Sequence, residues 1–200
     1  MEIRYRFKLG LFGLRRAAHS GLAVVRHTWQ NPVMTDILAL HLTSSTPEET
    51  AAIAAHLGAG LVAGDVVLLS GPVGAGKSLF ARALIQARLA ELGRFEDVPS
   101  PSFTLVQTYD LDRVEIWHAD LYRLSDPHEA LELGLEQAFD EAICLVEWPE
   151  RIGAYCPSSA LHLTLEPCAD PDARTLHFTA TAPRWTAPLR ALSDSQLGST

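Results

Sequence analysis

Two hundred residues, 48% hydrophobic and 20% charged, fit one globular domain with room for tails and exclude a disordered chain. A net charge of -8 argues against a broad nonspecific grip on nucleic acid. The cysteines Cys144, Cys156 and Cys168 are odd in number and contain no C-x-x-C pair, so neither a disulfide framework nor a zinc site is expected, and the cytosol is the natural compartment.

The charge is unevenly placed. Residues 1–33 carry Arg4, Arg6, Lys8, Arg15, Arg16 and Arg26 against Glu2 alone, a net +5, which leaves -13 for the rest. This basic stretch has no apolar core long enough for a secretory signal. It reads as an extension outside the domain, either not native, since Met34 precedes the first clear strand, or disordered. The domain is expected over 34–181, with a loose polar tail over 182–200.

The run 37–42 has strand composition. Thr46-Pro47-Glu48-Glu49 then opens a helix, with Thr46 as N-cap, Pro47 in the first turn and Glu49 as the capping-box carboxylate. A strand over 65–70 feeds Gly71-Pro72-Val73-Gly74-Ala75-Gly76-Lys77-Ser78, which has the spacing G-x-x-x-x-G-K-S/T. A helix from Lys77 to about Leu92 follows. Strand, glycine loop and helix in that order make a phosphate site. The glycines let successive N–H groups point into one hollow, and the helix start adds its own unpaired N–H groups and positive dipole end. Lys77 reaches the outer phosphates as a point charge. The Ser78 hydroxyl suits one position on Mg2+.

Residues 103–109 and 113–120 read as strands of a hairpin across the turn at 110–112. Such a pair does not belong to a simple alternation of strands and helices, so a mixed sheet is expected. Asp126-Pro127-His128-Glu129 repeats the capping pattern, and a second short helical piece reaches about Asp140. The apolar run 142–146 reads as a strand buried on both faces and ends in Glu147. Two alternating strands, 161–166 and 174–181, close the domain.

A carboxylate at the end of that buried strand faces the crevice where such sheets bind ligands, which makes Glu147 a metal-ligand candidate; the alternative is a solvated strand end. Asp120 ends the preceding strand and is a candidate for placing water; the alternative is a turn-initiating aspartate. His118 reads as a satisfied strand histidine. Ser100, Ser102 and Thr104 around Pro101 either sense a terminal phosphate or supply turn chemistry. Trp148 reads as a shield over the sheet end.

The order of these motifs resembles the bacterial TsaE (YjeE) family over residues 44–180. The carrying strings are Gly71 to Ser78, Ser100-Pro101-Ser102-Phe103-Thr104-Leu105-Val106, His118-Ala119-Asp120-Leu121-Tyr122-Arg123-Leu124 and Glu147-Trp148-Pro149-Glu150. The family more often has threonine where Ser78 and Ser102 stand. The resemblance implies an α/β, P-loop NTPase-like, three-layer fold with a mixed sheet between helices. It implies a cytoplasmic ATPase using ATP and Mg2+, acting with TsaD-like and TsaB-like proteins in threonylcarbamoyl transfer to adenosine 37 of tRNA. Contact with tRNA is then indirect, through the complex, and no membrane is involved. On this chain Ser78 and Glu147 would hold the metal, and Gly71 to Ser78 the phosphates. Thr46 would lie near the nucleotide, and Lys77, Asp120 and Glu147 would serve catalysis.

No arginine finger is evident in the matched strings, although Arg123 is near in sequence. Hydrolysis is therefore expected to be weak alone and stimulated by partners. The rival functions are a small-molecule P-loop kinase, for which the arginine-poor stretch 121–150 offers little lid, and a nucleotide sensor without useful hydrolysis.

Overall fold

The computed structural model describes residues 23–26 and 36–197. Its centre is a sheet of eight strands in the order β1-β2-β8-β7-β3-β6-β5-β4. These are β1 (Ala23–Arg26), β2 (Asp36–Ser44), β3 (Val66–Ser70), β4 (Val106–Asp110), β5 (Glu115–Asp120), β6 (Ile143–Glu147), β7 (Leu161–Pro167) and β8 (Arg174–Ala180). The pairs β7–β3, β3–β6 and β6–β5 are parallel, and the flanking pairs are antiparallel. This is the mixed sheet anticipated from the β4–β5 hairpin.

Burial follows from this placement. The central strand β6 is buried at every residue, as its unbroken apolar run requires. β7 and β8 alternate, with one face in the core and the other toward solvent. Helices cover both faces and give three layers. On one side α1 (Pro47–Gly58), α2 (Lys77–Glu91) and α5 (Thr186–Leu197) pack with Val67, Leu69, Phe80, Leu84 and Phe178. On the other, the short α3 (Glu129–Glu132) and α4 (Leu135–Glu141) pack with Val66, Leu68, Cys144 and Val146.

Local chemistry sets the helix ends. Thr46 Oγ1 accepts from Glu49 N at 3.2 Å, and Glu49 Oε2 accepts from Ser45 N at 2.6 Å, closing the capping box at the start of α1. At the other end of α1, Arg88 of α2 donates to the carbonyls of Gly58 and Leu61 at 2.7 and 2.9 Å. Gly58 permits this close pairing, because a Cβ there would lie 2.8 Å from Leu84 Cγ.

Three expectations are corrected. The segment from 182 is no loose tail. A 3-10 turn (Pro183–Trp185) leads into α5, Trp185 is fully buried, and its Nε1 donates to Ser159 O at 2.7 Å. Arg184 pairs with the buried Asp65 at the entry to β3. Four residues of the basic leader, Ala23–Arg26, form the edge strand β1 against β2, while 1–22 and 27–33 lie outside the described residues. Strand β4 starts at Val106, not 103, because residues 102–104 form a turn that carries Ser102 toward β5. Cys144 sits in the core as expected, and burial pushes its thiol up to about 12. No helix among the described residues is long and apolar enough to cross a membrane.

Candidate functional site: a phosphate loop facing two buried carboxylates

The glycine loop leaves β3 at Gly71. Its φ of 134° is strained for any L side chain, and a Cβ there would lie 2.3 Å from Leu165 O of β7. Gly74 and Gly76 also take positive φ, and Gly76 caps α2. The loop curls around a cleft of about 400 Å³ at the C-terminal ends of β3, β5 and β6. Val73, Gly74, Gly76, Lys77 and Ser78 line it. Gly71, Pro72 and Ala75 do not line it, and Ala75 is fully buried.

Lys77 is buried to 4% exposure, and its ammonium is folded back. Nζ donates to Gly71 O at 2.8 Å and Pro72 O at 2.9 Å, and it lies 3.7 Å from the centre of the Trp148 ring. Burial pushes the Lys77 ammonium below its ordinary value, while Glu147, Glu150 and Asp120 pull the other way.

Glu147 ends β6 and is 2% exposed. Its Oε2 accepts from Ser78 Oγ at 2.9 Å, and its Oε1 is in hydrogen-bond contact with His118 Nε2 at 2.9 Å. Asp120 ends β5 in register with Glu147. Its Oδ2 accepts from Ser102 Oγ at 2.8 Å and Ser100 Oγ at 3.3 Å, and Tyr122 N donates to Oδ1 at 3.2 Å. The parallel pairing of β5 with β6 therefore delivers both carboxylates to one cleft.

Ser78 and Glu147 offer two hard oxygens beside the hollow lined by the glycine loop. That donor set fits Mg2+, which takes few protein ligands and completes its shell with phosphate oxygens and water. Among the described residues no group of three or more His, Cys, Asp and Glu side chains could hold a metal unaided. Two larger hollows, of about 550 Å³ beside Trp117 and 620 Å³ beside Phe95, lie away from the loop and carry no comparable set of converging groups.

Of the residues singled out in the sequence, Lys77, Ser78, Ser102, Asp120, Glu147 and Trp148 meet at the cleft. Trp148 takes a left-handed backbone (φ 61°), and its ring also packs on Tyr122 at 4.8 Å. Thr46 does not line the cleft; its hydroxyl is engaged in capping α1. Arg123 lies over the exposed Phe103 ring at 5.6 Å, also outside the lining.

His118 is a buried strand histidine, as its sequence position suggests, but its partner is the site carboxylate Glu147, which the sequence did not indicate. One residue went unnoticed in the sequence. Arg174, the first residue of β8, donates from Nε to Ala75 O at 2.9 Å and from Nη2 to Gly74 O at 3.4 Å. Its Nη1 donates to Pro171 O and Ala173 O. It ties two carbonyls of the loop to the start of β8 through charge-assisted hydrogen bonds. No sequence signal marks it, because the contact joins residues about a hundred positions apart.

The profile of the family described as "Threonylcarbamoyl adenosine biosynthesis protein TsaE" matches residues 44–176. The tRNA threonylcarbamoyladenosine biosynthesis protein TsaE of Rickettsia bellii is 37% identical over 135 residues, which cover 68% of this chain and 91% of that protein. Its Bacillus subtilis counterpart is 36% identical over 140 residues, 70% of this chain and 84% of that one. The crystal structure of Bacillus subtilis YdiB superposes with a TM-score of 0.65 at 30% identity, over 80% of this chain and 97% of that one. The loop, both carboxylates and the strands that carry them fall inside the matched span, and the chain belongs to the TsaE family.

Proposed function

We propose that this chain is a Mg2+-dependent ATPase that supports threonylcarbamoyl transfer to adenosine 37 of tRNA. It acts in the cytoplasm with TsaD-like and TsaB-like proteins. The observation that carries the ATPase is the 2.9 Å contact between Ser78 and Glu147, which joins the start of the loop's helix to an acid on a separate strand. Family membership carries the pathway.

Backbone N–H groups of the loop and the start of α2 bind the phosphates. Lys77 exchanges the carbonyls of Gly71 and Pro72 for phosphate oxygens. Ser78 and Glu147 would hold Mg2+, which when bound neutralises charge on the phosphates. Asp120, steadied by Ser102 and Ser100, orients the attacking water toward the terminal phosphate. No arginine lines the cleft among the described residues, so the isolated chain is expected to hydrolyse ATP slowly and the assembled complex faster. With a net charge of -8, the chain reaches tRNA through its partners.

The deciding experiment depletes a cell's own TsaE-like protein and supplies this chain or its Lys77→Ala variant. Modified adenosine in tRNA is then measured by mass spectrometry. Restoration by the parent chain and not by the variant is expected. Equal restoration by both would leave a nucleotide-independent binding subunit in place of the ATPase.

A further inference from the structure

His118 sits at the site without a part in the chemistry just described. Its side chain is fully buried on β5, two residues before Asp120. The register pairs His118 with Leu145 and Asp120 with Glu147, so the imidazole reaches Glu147 along the diagonal between neighbouring strands. Nε2 lies 2.9 Å from Glu147 Oε1, and Nδ1 is buried with no hydrogen-bond partner among the described residues. A carboxylate that ligates a cation can only accept from its other partners, so in that role the hydrogen of this pair must sit on Nε2.

A buried ring nitrogen left unpaired is a cost that leucine or phenylalanine would avoid in the same place. The return lies in Glu147. A glutamate has three side-chain torsions, and here both of its oxygens are engaged: Oε1 from behind by His118 and Oε2 in front by Ser78. The histidine turns a flexible acid into one that presents a single, fixed oxygen toward the serine hydroxyl.

We propose that His118 is a positioning residue that locks the Glu147 carboxylate through Nε2–H, so that Oε2 and Ser78 Oγ form a ready pair of ligands for the divalent cation. This rests on the assignment of Mg2+ to Ser78 and Glu147 above. Outer partners of metal ligands act by orientation, and their loss weakens metal binding roughly 10- to 100-fold.

The test uses the full chain and three variants, His118→Leu, His118→Gln and Glu147→Ala. Mn2+ binding in the presence of ADP is followed by electron paramagnetic resonance, and ADP binding is measured separately in EDTA. The glutamine amide nitrogen is as many bonds from the backbone as Nε2 and restores the donor. His118→Leu is expected to weaken Mn2+ binding roughly 10- to 100-fold with metal-free ADP binding unchanged, and His118→Gln to recover most of the loss. Nitrogen NMR of the parent's His118 ring is expected to show hydrogen on Nε2, a reading that survives if His118→Leu does not fold.

The proposal is overturned if His118→Leu binds Mn2+ like the parent, if it loses metal-free ADP binding to the same degree, or if a folded His118→Gln does no better. Hydrogen on Nδ1 alone also overturns it. If Glu147→Ala leaves Mn2+ binding intact, the metal assignment itself falls and takes this proposal with it. A loss in Glu147→Ala beside an intact His118→Leu sinks this proposal alone.

Discussion

The parallel and antiparallel parts of the sheet are built on different terms. Strands β5 and β6 end in Asp120 and Glu147, both almost wholly buried beside Lys77 and His118. Strands β2, β8 and β7 instead alternate. Leu40, Leu163 and Phe178 enter the core shared with α1 and α5, while His41, His177 and Glu166 face outward. Buried polar groups cost free energy even when paired, and apolar burial recovers it. The comparison teaches that the site is a locally unfavourable arrangement held by a scaffold elsewhere. Substitutions in the two parts should therefore fail in different ways.

The largest effect is expected in the scaffold. Trp185→Ala removes a fully buried indole and its bond to Ser159, and should cost about 3–5 kcal/mol in urea unfolding. Nucleotide affinity per folded molecule should stay as it was; a parallel fall would erase the division. Lys77→Met should do the reverse. ATP hydrolysis by the complex is expected to fall roughly 100- to 1000-fold, with the melting temperature unchanged or higher, since a buried charge is removed.

Arg174 sharpens the contrast, because it stands on the antiparallel side and grips the loop. Arg174→Met should weaken nucleotide binding in a calorimetric titration roughly tenfold, the worth of one charge-assisted hydrogen bond. Arg174→Lys, with no planar fork to span both carbonyls, should not rescue it. The smallest effect is at Thr46. Loss of the cap in Thr46→Ala should cost about 1 kcal/mol of stability and leave the Mg2+ dependence of nucleotide binding unaltered.

What could be read in the sequence was local or periodic. The loop declares itself by spacing, Glu147 by closing an apolar run, and the β4–β5 hairpin by two strands across a short turn. What escaped depends on register or on distance along the chain. Nothing before folding places His118 diagonal to Glu147, or Arg174 beside Ala75. The C-terminal helix is a different case. Trp185, Leu189 and Leu192 have the i, i+4, i+7 spacing of an apolar helical face, but Pro183, Pro188 and the polar residues between them hid it. Thr46 was read correctly as a cap, while its place beside the nucleotide came from resemblance and not from its own chemistry.

The left-handed backbone at Trp148 has an optical consequence. The indole rests on the Lys77 ammonium, and any ligand that draws the lysine onto phosphate changes the charge against the ring face. Trp117 is bonded to Glu115 and Trp185 to Ser159, both away from the cleft. Trp29 lies outside the described residues, so in a Trp29→Phe chain the change in emission on adding nucleotide should come from this indole and report occupancy of the loop, with no dye attached.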